Sequence, residues 1–212
     1  MSHISKEKLI FIHLSSSRLS VATSTRMNFD FAKKPESAQS ILRLISRTAS
    51  GRDLLERFLP QLNRGRIVIQ AYPPELVSRL RAVLGEGQPI GAAFVIDGGQ
   101  GTIYLDLESP LGVLAPFLVH EIIHSLNEGL WKAEKDGIRK ADRTELYLRS
   151  EEDAFEGQHR FVAELGERYP EFRAFLKAYY PKAKILHEKL TGLDISDLYG
   201  FEIGSKDRSQ AS

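Results

Sequence analysis

The segment His120-Glu121-Ile122-Ile123-His124 contains the residues whose types and spacing could do chemistry. If the segment is helical, the two histidines lie about 40° apart around the axis and one turn apart along it. Both imidazoles can then bind one metal ion, and Glu121, about 100° round from His120, can contact the water on that ion. The motif therefore predicts a metal site with a general base beside it.

A third metal ligand is expected outside this motif, because a catalytic zinc ion usually has three protein ligands. Residue 130 is leucine, which excludes the third histidine of an extended H-E-x-x-H-x-x-G-x-x-H motif. Glu128 follows on the same helix, but three ligands would then span about 12 Å along the axis, too far for one ion. A supporting or surface role is expected for Glu128.

The acidic segment 151–153 supplies the candidates for the third ligand. At about 100° per residue, Glu151 falls in the middle of the helix face expected to point inward, which carries Ala154, Phe155, Gln158, Val162 and Leu165. Glu152 and Asp153 fall at the edge of that face or outside it, where attraction to the helix dipole accounts for them. A carboxylate on an apolar face needs a counter-charge, so Glu151 is the expected ligand and Glu152 the alternative.

The elements around the motif must position these groups. Apolar neighbours predict a mostly buried helix that begins near Pro116, a residue suited to a first helical turn. Before it, residues 92–96 and 102–107 have the composition of strands and flank a Gly-rich loop of about five residues. A β-hairpin is therefore expected directly before the metal-binding helix.

The rest of the chain predicts a small sheet followed by a helical half. Ser50 and Asp53 are expected to form a capping box at the start of a helix, and residues 66–70 to form a strand. Further helices are expected at about 146–167, 171–180 and 182–190. The order predicts an α+β fold, with a flexible leader at 1–30, one domain over 31–203 and a disordered tail at 204–212.

Composition excludes several classes of protein. The 212 residues include no cysteine, which excludes a disulfide scaffold, a thiolate metal site and a cysteine nucleophile. A net charge of +1 argues against a nucleic-acid partner, and no apolar run reaches the ~18 residues of a membrane span. A cytoplasmic location is expected, with export as the alternative, because Lys6 and Lys8 precede a short apolar segment.

Two motifs resemble those of the gluzincin group of zinc metallopeptidases. The first is the H-E-x-x-H motif itself, and the second is a glutamate on a later helix, here in the sequence Ser-Glu-x-x-Ala-Phe that starts at Ser150. Small bacterial metallopeptidases with an E-x-x-A-[YF] helix have a second motif of this form. The resemblance covers roughly residues 92 to 165 and implies a zincin-like fold.

The resemblance also implies roles for individual residues. It implies one Zn²⁺ ion bound by His120, His124 and Glu151, and peptide-bond hydrolysis with Glu121 as general base. It further implies that the strand 102–106 is an edge strand to which an extended peptide substrate adds, through the backbone of Ile103, Tyr104 and Leu105.

The sequence departs from the best-known gluzincins at one position. Those proteins have an aspartate four residues after the glutamate ligand, where it orients the first histidine, and this chain has Phe155 there. Asp153 and Gln158 are the alternatives for that supporting role. The residue that stabilises the oxyanion is left open among His159, Tyr179, Tyr180 and His187.

The predicted function is zinc-dependent peptide hydrolysis. Two alternatives remain at this point: a non-catalytic protein whose zinc site serves interaction, and a metallohydrolase of a non-peptide amide. Glu121 separates the first alternative from an enzyme, because a purely structural metal site has no use for an acid between its two histidines.

Overall fold

The computed structural model describes residues 29–84, 90–138 and 144–179. The predicted tail and the helix expected at 182–190 lie outside these residues, as does the predicted leader apart from residues 29 and 30. None of the helices in the described ranges has the length and hydropathy needed to cross a membrane. The elements are α1 Ala38–Ile45, α2 Ala49–Asn63, β1 Ile67–Ala71, α3 Pro74–Leu84, β2 Ala92–Asp97, β3 Gln100–Leu105, α4 Leu111–Ser125, α5 Glu128–Lys135, α6 Thr144–Arg168 and α7 170–179.

The three strands form one mixed sheet in the order β1-β3-β2. β2 and β3 are the predicted hairpin and pair antiparallel, whereas β1 adds to β3 in parallel after the crossover through α3. The expected five-residue loop is wrong: the turn consists of Gly98 and Gly99, whose φ angles of 55° and 82° suit glycine in a tight hairpin. The sheet and helices together confirm the predicted α+β class.

The prediction that the strand 102–106 is an edge strand is wrong. β3 is the central strand, and Ile103, Tyr104 and Leu105 pair with β1 on one side and with β2 on the other. Their backbone groups are therefore committed to the sheet and cannot bind an added peptide strand. The hairpin pattern did not show on which side β1 would add, and its pairing with β3 leaves β1 and β2 as the two edge strands.

Helix α4 lies at the centre of the fold. Most of its residues are apolar and nearly all are buried, and such a helix is stable only when neighbours cover every side. α6, both strands of the hairpin, α1 and α2 all pack against it. The helix begins at Leu111, earlier than the predicted start, and Pro116 lies inside it. The apolar run before Pro116 accounts for the extension, because it is buried with the rest of the helix.

Helix α6 approaches α4 along a line of small side chains. Ser150 and Ala154 are buried there, and a Cβ atom at Gly157 would overlap the Ile123 side chain of α4. Small residues at this spacing let two helices come close, so groups at the edges of the contact can meet.

Helix α2 is attached to α6 at its first turn. Its N-cap is Thr48, whose hydroxyl accepts the Gly51 N–H at 3.0 Å, so the predicted capping box at Ser50 is wrong. The backbone N–H of Ser50 instead donates to the Glu164 carboxylate of α6 at 2.9 Å. The first turn of α2 therefore uses a carboxylate of the neighbouring helix.

Candidate metal centre

Helices α4 and α6 bring His120, His124 and Glu151 together. The two Nε2 atoms lie 3.0 Å apart. Glu151 places one carboxylate oxygen 3.2 Å from Nε2 of His120 and the other 3.4 Å from Nε2 of His124. The imidazoles are only 9 % exposed and the Glu151 side chain 12 %. Residues 31 positions apart in the chain thus form a compact group that could bind a metal ion.

The spacing of this group fits one small cation. Tetrahedral ligands at 2.0–2.1 Å from a central ion lie about 3.3 Å from one another, and the three contacts span 3.0–3.4 Å. Two imidazole nitrogens and one carboxylate oxygen are also a donor set that a divalent transition metal accepts. The side chains therefore have both the geometry and the chemistry of a metal site.

The Nδ1 atoms of both histidines have neighbours on α6. Nδ1 of His120 lies 3.0 Å from Oε1 of Gln158, and Nδ1 of His124 lies 2.7 Å from Oγ of Ser150. Of the two alternatives for orienting the first histidine, Gln158 is the one that contacts it, whereas the Asp153 side chain is exposed. Ser150 was not predicted, although its place directly before Glu151 put it on the same turn.

Glu121 is buried beside this group. Burial raises the pKa of its carboxyl to about 8, and the negative charge of Glu151 acts in the same direction. The electrostatic interaction with His120 and a hydrogen bond from the backbone of Phe94 oppose the increase. The carboxyl of Glu121, which belongs to α4, therefore lies near Glu151 of α6 and near Phe94 of the edge strand β2.

Glu151 shows the opposite behaviour. Burial alone would raise its pKa, but hydrogen bonds and charge attraction from His120 and His124 outweigh burial and hold the pKa well below its usual value. Its carboxylate is thus kept ionised, as a metal ligand must be.

The remaining acidic candidates lie away from the centre. Glu152 is exposed, and Glu128 is bound by the Arg66 guanidinium through two hydrogen bonds of 2.7 and 2.9 Å. Phe155, expected on the inward face, is 37 % exposed, and its ring contacts His120 edge-on with the centroids 4.7 Å apart. The Phe155 ring therefore lies partly exposed beside His120, at the rim of the site.

Of the candidates for the oxyanion residue, His159 and Tyr179 belong to the described residues, and their ring contacts are with side chains other than the three of the centre. His159 is exposed and lies near Phe155, with ring centroids 6.3 Å apart, and Tyr179 stacks on Phe175. Tyr180 and His187 lie outside the described residues.

Tyr72 is a buried residue near the centre that was not predicted. Burial and the charges of Glu121 and Asp106 raise the pKa of its hydroxyl, and its ring stacks on Tyr104. Its position directly after a strand was the only signal in the sequence. The side chain therefore stays a neutral phenol within the electrostatic reach of Glu121.

No protein-family description, curated protein or solved structure gives a match to this chain. The interpretation of the centre therefore depends on its own residues and geometry.

Proposed function

We propose that this protein is a zinc-dependent metallopeptidase. The observation that carries the proposal is the buried Glu121 carboxyl next to the convergent group of His120, His124 and Glu151. A structural metal site needs ligands alone, whereas hydrolysis also needs a group that accepts a proton. Burying a carboxyl in the protein costs free energy, and a catalytic role accounts for that cost.

Zinc fits this donor set, and when bound it lowers the pKa of its water towards ~7 and polarises a scissile carbonyl. His120, His124 and Glu151 would hold the ion, and its positive charge would favour the ionised form of the Glu121 carboxyl. In that form Glu121 would accept a proton from the attacking water and donate it to the leaving amine. The low exposure of all four side chains limits bulk water at the reaction centre.

The edge strand β2 supports a peptide as the substrate. The hydrogen bond from Phe94 to the Glu121 carboxyl places the outer side of β2 next to the proposed base. An extended peptide that added to this edge would therefore run past Glu121 with its backbone held by hydrogen bonds. This geometry favours peptide hydrolysis over hydrolysis of a non-peptide amide.

The substitution Glu121→Gln tests the proposal. The wild-type protein loaded with zinc is incubated with a mixture of synthetic peptides, and the products are identified by mass spectrometry. We expect Glu121→Gln to bind zinc as the wild type does and to lose about 10²–10⁴-fold in kcat, the usual contribution of a general base.

Glu128→Gln is the matched control, because it removes the charge of an exposed glutamate at the first position of the next helix, α5. It should cleave at the wild-type rate. Equal turnover of wild type and Glu121→Gln, or no cleavage of any peptide by the zinc-loaded wild type, would overturn the proposal.

A further inference from the structure

Two apolar side chains of α6 flank Glu151 on the side of the helix that is open to solvent. Leu148 is 43 % exposed and Phe155 is 37 % exposed. At about 100° per residue, both lie within about 60° of Glu151 around the helix, in the same direction. Ser150 and Ala154, which are buried, lie in the opposite direction. Leu148 and Phe155, here called the α6 rim, therefore border the candidate metal centre where solvent reaches it.

The α6 rim extends to both sides of the metal centre along the helix. The Phe155 ring contacts the His120 ring edge-on, with the centroids 4.7 Å apart, and Leu148 lies about one turn before Glu151. The two rim residues are about 10.5 Å apart along the axis, and an extended peptide advances ~3.3 Å per residue. The α6 rim therefore has the length of about three substrate residues.

The edge strand β2 directs substrate side chains to the side of the sheet where the helices lie. Phe94 is paired with Ile103, and its backbone is hydrogen-bonded to Glu121, so its backbone polar groups face the free edge. A peptide residue opposite Phe94 would have its side chain on the same face of the sheet as the Phe94 ring. That ring packs against Trp131 and the core, on the face covered by helices. A peptide added to β2 would therefore present every second side chain to the helical side.

We propose that the α6 rim selects peptides with a large apolar side chain next to the scissile bond. The inference rests on the proposed function, because it names the substrates of the same site. An apolar side chain that covers Leu148 and Phe155 removes apolar surface from water on both partners. A polar side chain in the same place loses its hydrogen bonds to water and gains none from the rim.

Two peptide hydroxamates test this selectivity without any hydrolysis. Both chelate zinc through the same group, and they differ only in the adjacent side chain, which is leucine in one and asparagine, of similar shape, in the other. The zinc-loaded wild type is titrated with each compound by isothermal titration calorimetry. We expect at least about 10-fold tighter binding of the leucine compound, because apolar sites discriminate by that factor for even one methylene group.

Substitutions in the α6 rim should remove the preference. The double variant Leu148→Ser/Phe155→Ser should bind the two compounds within about twofold of each other, because the discriminating apolar surface is gone. Phe155→Leu keeps an apolar side chain and should keep the preference for leucine. This rescue separates the loss of apolar surface from a disturbance of His120.

Val95→Ser is the matched control. Val95 is 46 % exposed, but it is next to Phe94 in β2, and neighbouring side chains of a strand point to opposite faces. Its side chain therefore lies on the face of the sheet away from the helices. The variant should keep the wild-type preference for the leucine compound.

Three results would overturn the inference: equal binding of the two compounds by the wild type, no binding of either, or a preference that survives the double substitution. Cleavage of peptides without enrichment of apolar residues at the cut sites would also overturn it, while the proposed function would stand. A wild type that prefers the leucine compound but cleaves no peptide would contradict the proposed function and support selection by the α6 rim.

Discussion

Two regions of this molecule each contain a glutamate with nitrogen-bearing partners, but they are built in opposite ways. The candidate metal centre consists of His120, His124 and Glu151. The second region, here called the Arg66 cluster, consists of Arg66, Glu128 and Trp131. The side chain of Glu151 is 12 % exposed, whereas that of Glu128 is 70 % exposed.

The Arg66 cluster pairs donors with acceptors. Arg66 donates two hydrogen bonds to Glu128, and its guanidinium lies 4.2 Å from the centroid of the Trp131 ring. The carboxylate and the aromatic face are both satisfied by one cation that belongs to the protein. The cluster therefore needs nothing from outside to account for its geometry.

The candidate metal centre instead brings together three side chains that could each bind one cation. Two Nε2 atoms and a carboxylate within 3.0–3.4 Å of one another are groups that a cation joins. A carboxylate beside an arginine is already paired with a cation of the protein, as in the Arg66 cluster. A carboxylate beside two histidines is a set of three possible ligands, and such a set indicates a binding site for a metal ion. Substitutions in the two regions should therefore have different consequences.

The largest expected difference is in metal binding. Glu151→Ala should weaken zinc binding by more than about 100-fold, above the usual cost of losing an outer partner, because a ligand itself is removed. Glu128→Ala should leave the affinity unchanged. Isothermal titration calorimetry on the two variants measures the contrast, and equal affinities would remove the distinction between the regions.

The second expected difference is in the pH dependence of stability without metal. The pKa of Glu121 is 4.5 ordinarily and about 8 in the folded protein. Between these two pH values the Glu121 carboxyl is ionised in the unfolded chain but keeps its proton in the folded protein. The free energy of unfolding therefore falls as pH rises. Within this pH range, each rise of one pH unit lowers the free energy of unfolding by about 1.4 kcal/mol.

Glu121→Gln cannot ionise and should escape this loss. In urea unfolding of chelator-treated protein, the variant should gain on the wild type between about pH 5 and pH 8, by a few kcal/mol at most. Glu128→Gln serves as the control without a comparable gain. A difference between Glu121→Gln and wild type that stays constant over this pH range would contradict the prediction.

The smallest expected effect concerns the Arg66 cluster. Glu128→Ala should lower the free energy of unfolding by no more than about 1 kcal/mol, because an exposed ion pair contributes little and is screened by salt. The loss should shrink further at high ionic strength. Thermal unfolding at low and high salt measures it, and a loss of several kcal/mol would show that this cluster is a major source of stability.

The local features of the site could be predicted from the sequence. The i, i+4 spacing put both histidines on one side of a buried helix, and the periodicity of α6 distinguished Glu151 from Glu152 and Asp153. Helical periodicity is a property of the backbone and survives in almost any environment. The same argument was wrong for Phe155, which is 37 % exposed although its ring contacts His120.

Other features depended on how distant segments pack. The sequence predicted a hairpin, but only the pairing of β1 with β3 showed that β3 is the central strand and β2 an edge strand. Likewise, Ser50 had the residue type of a cap, but Thr48 is the cap. Hydrogen bonds between strands and between helices are chosen by tertiary contacts that local propensity does not contain.

The sequence by itself determined the chemical set of this protein: two histidines and an acid on one helical turn, a second acid on a later helix, and no cysteine to compete with them. Only the tertiary structure decided that these groups converge, that Gln158 and Ser150 stand behind the histidines, and that β2 passes the buried Glu121. The reason is physical: the spacing within one helix follows from backbone geometry, whereas the distance between two helices follows from the side chains that separate them.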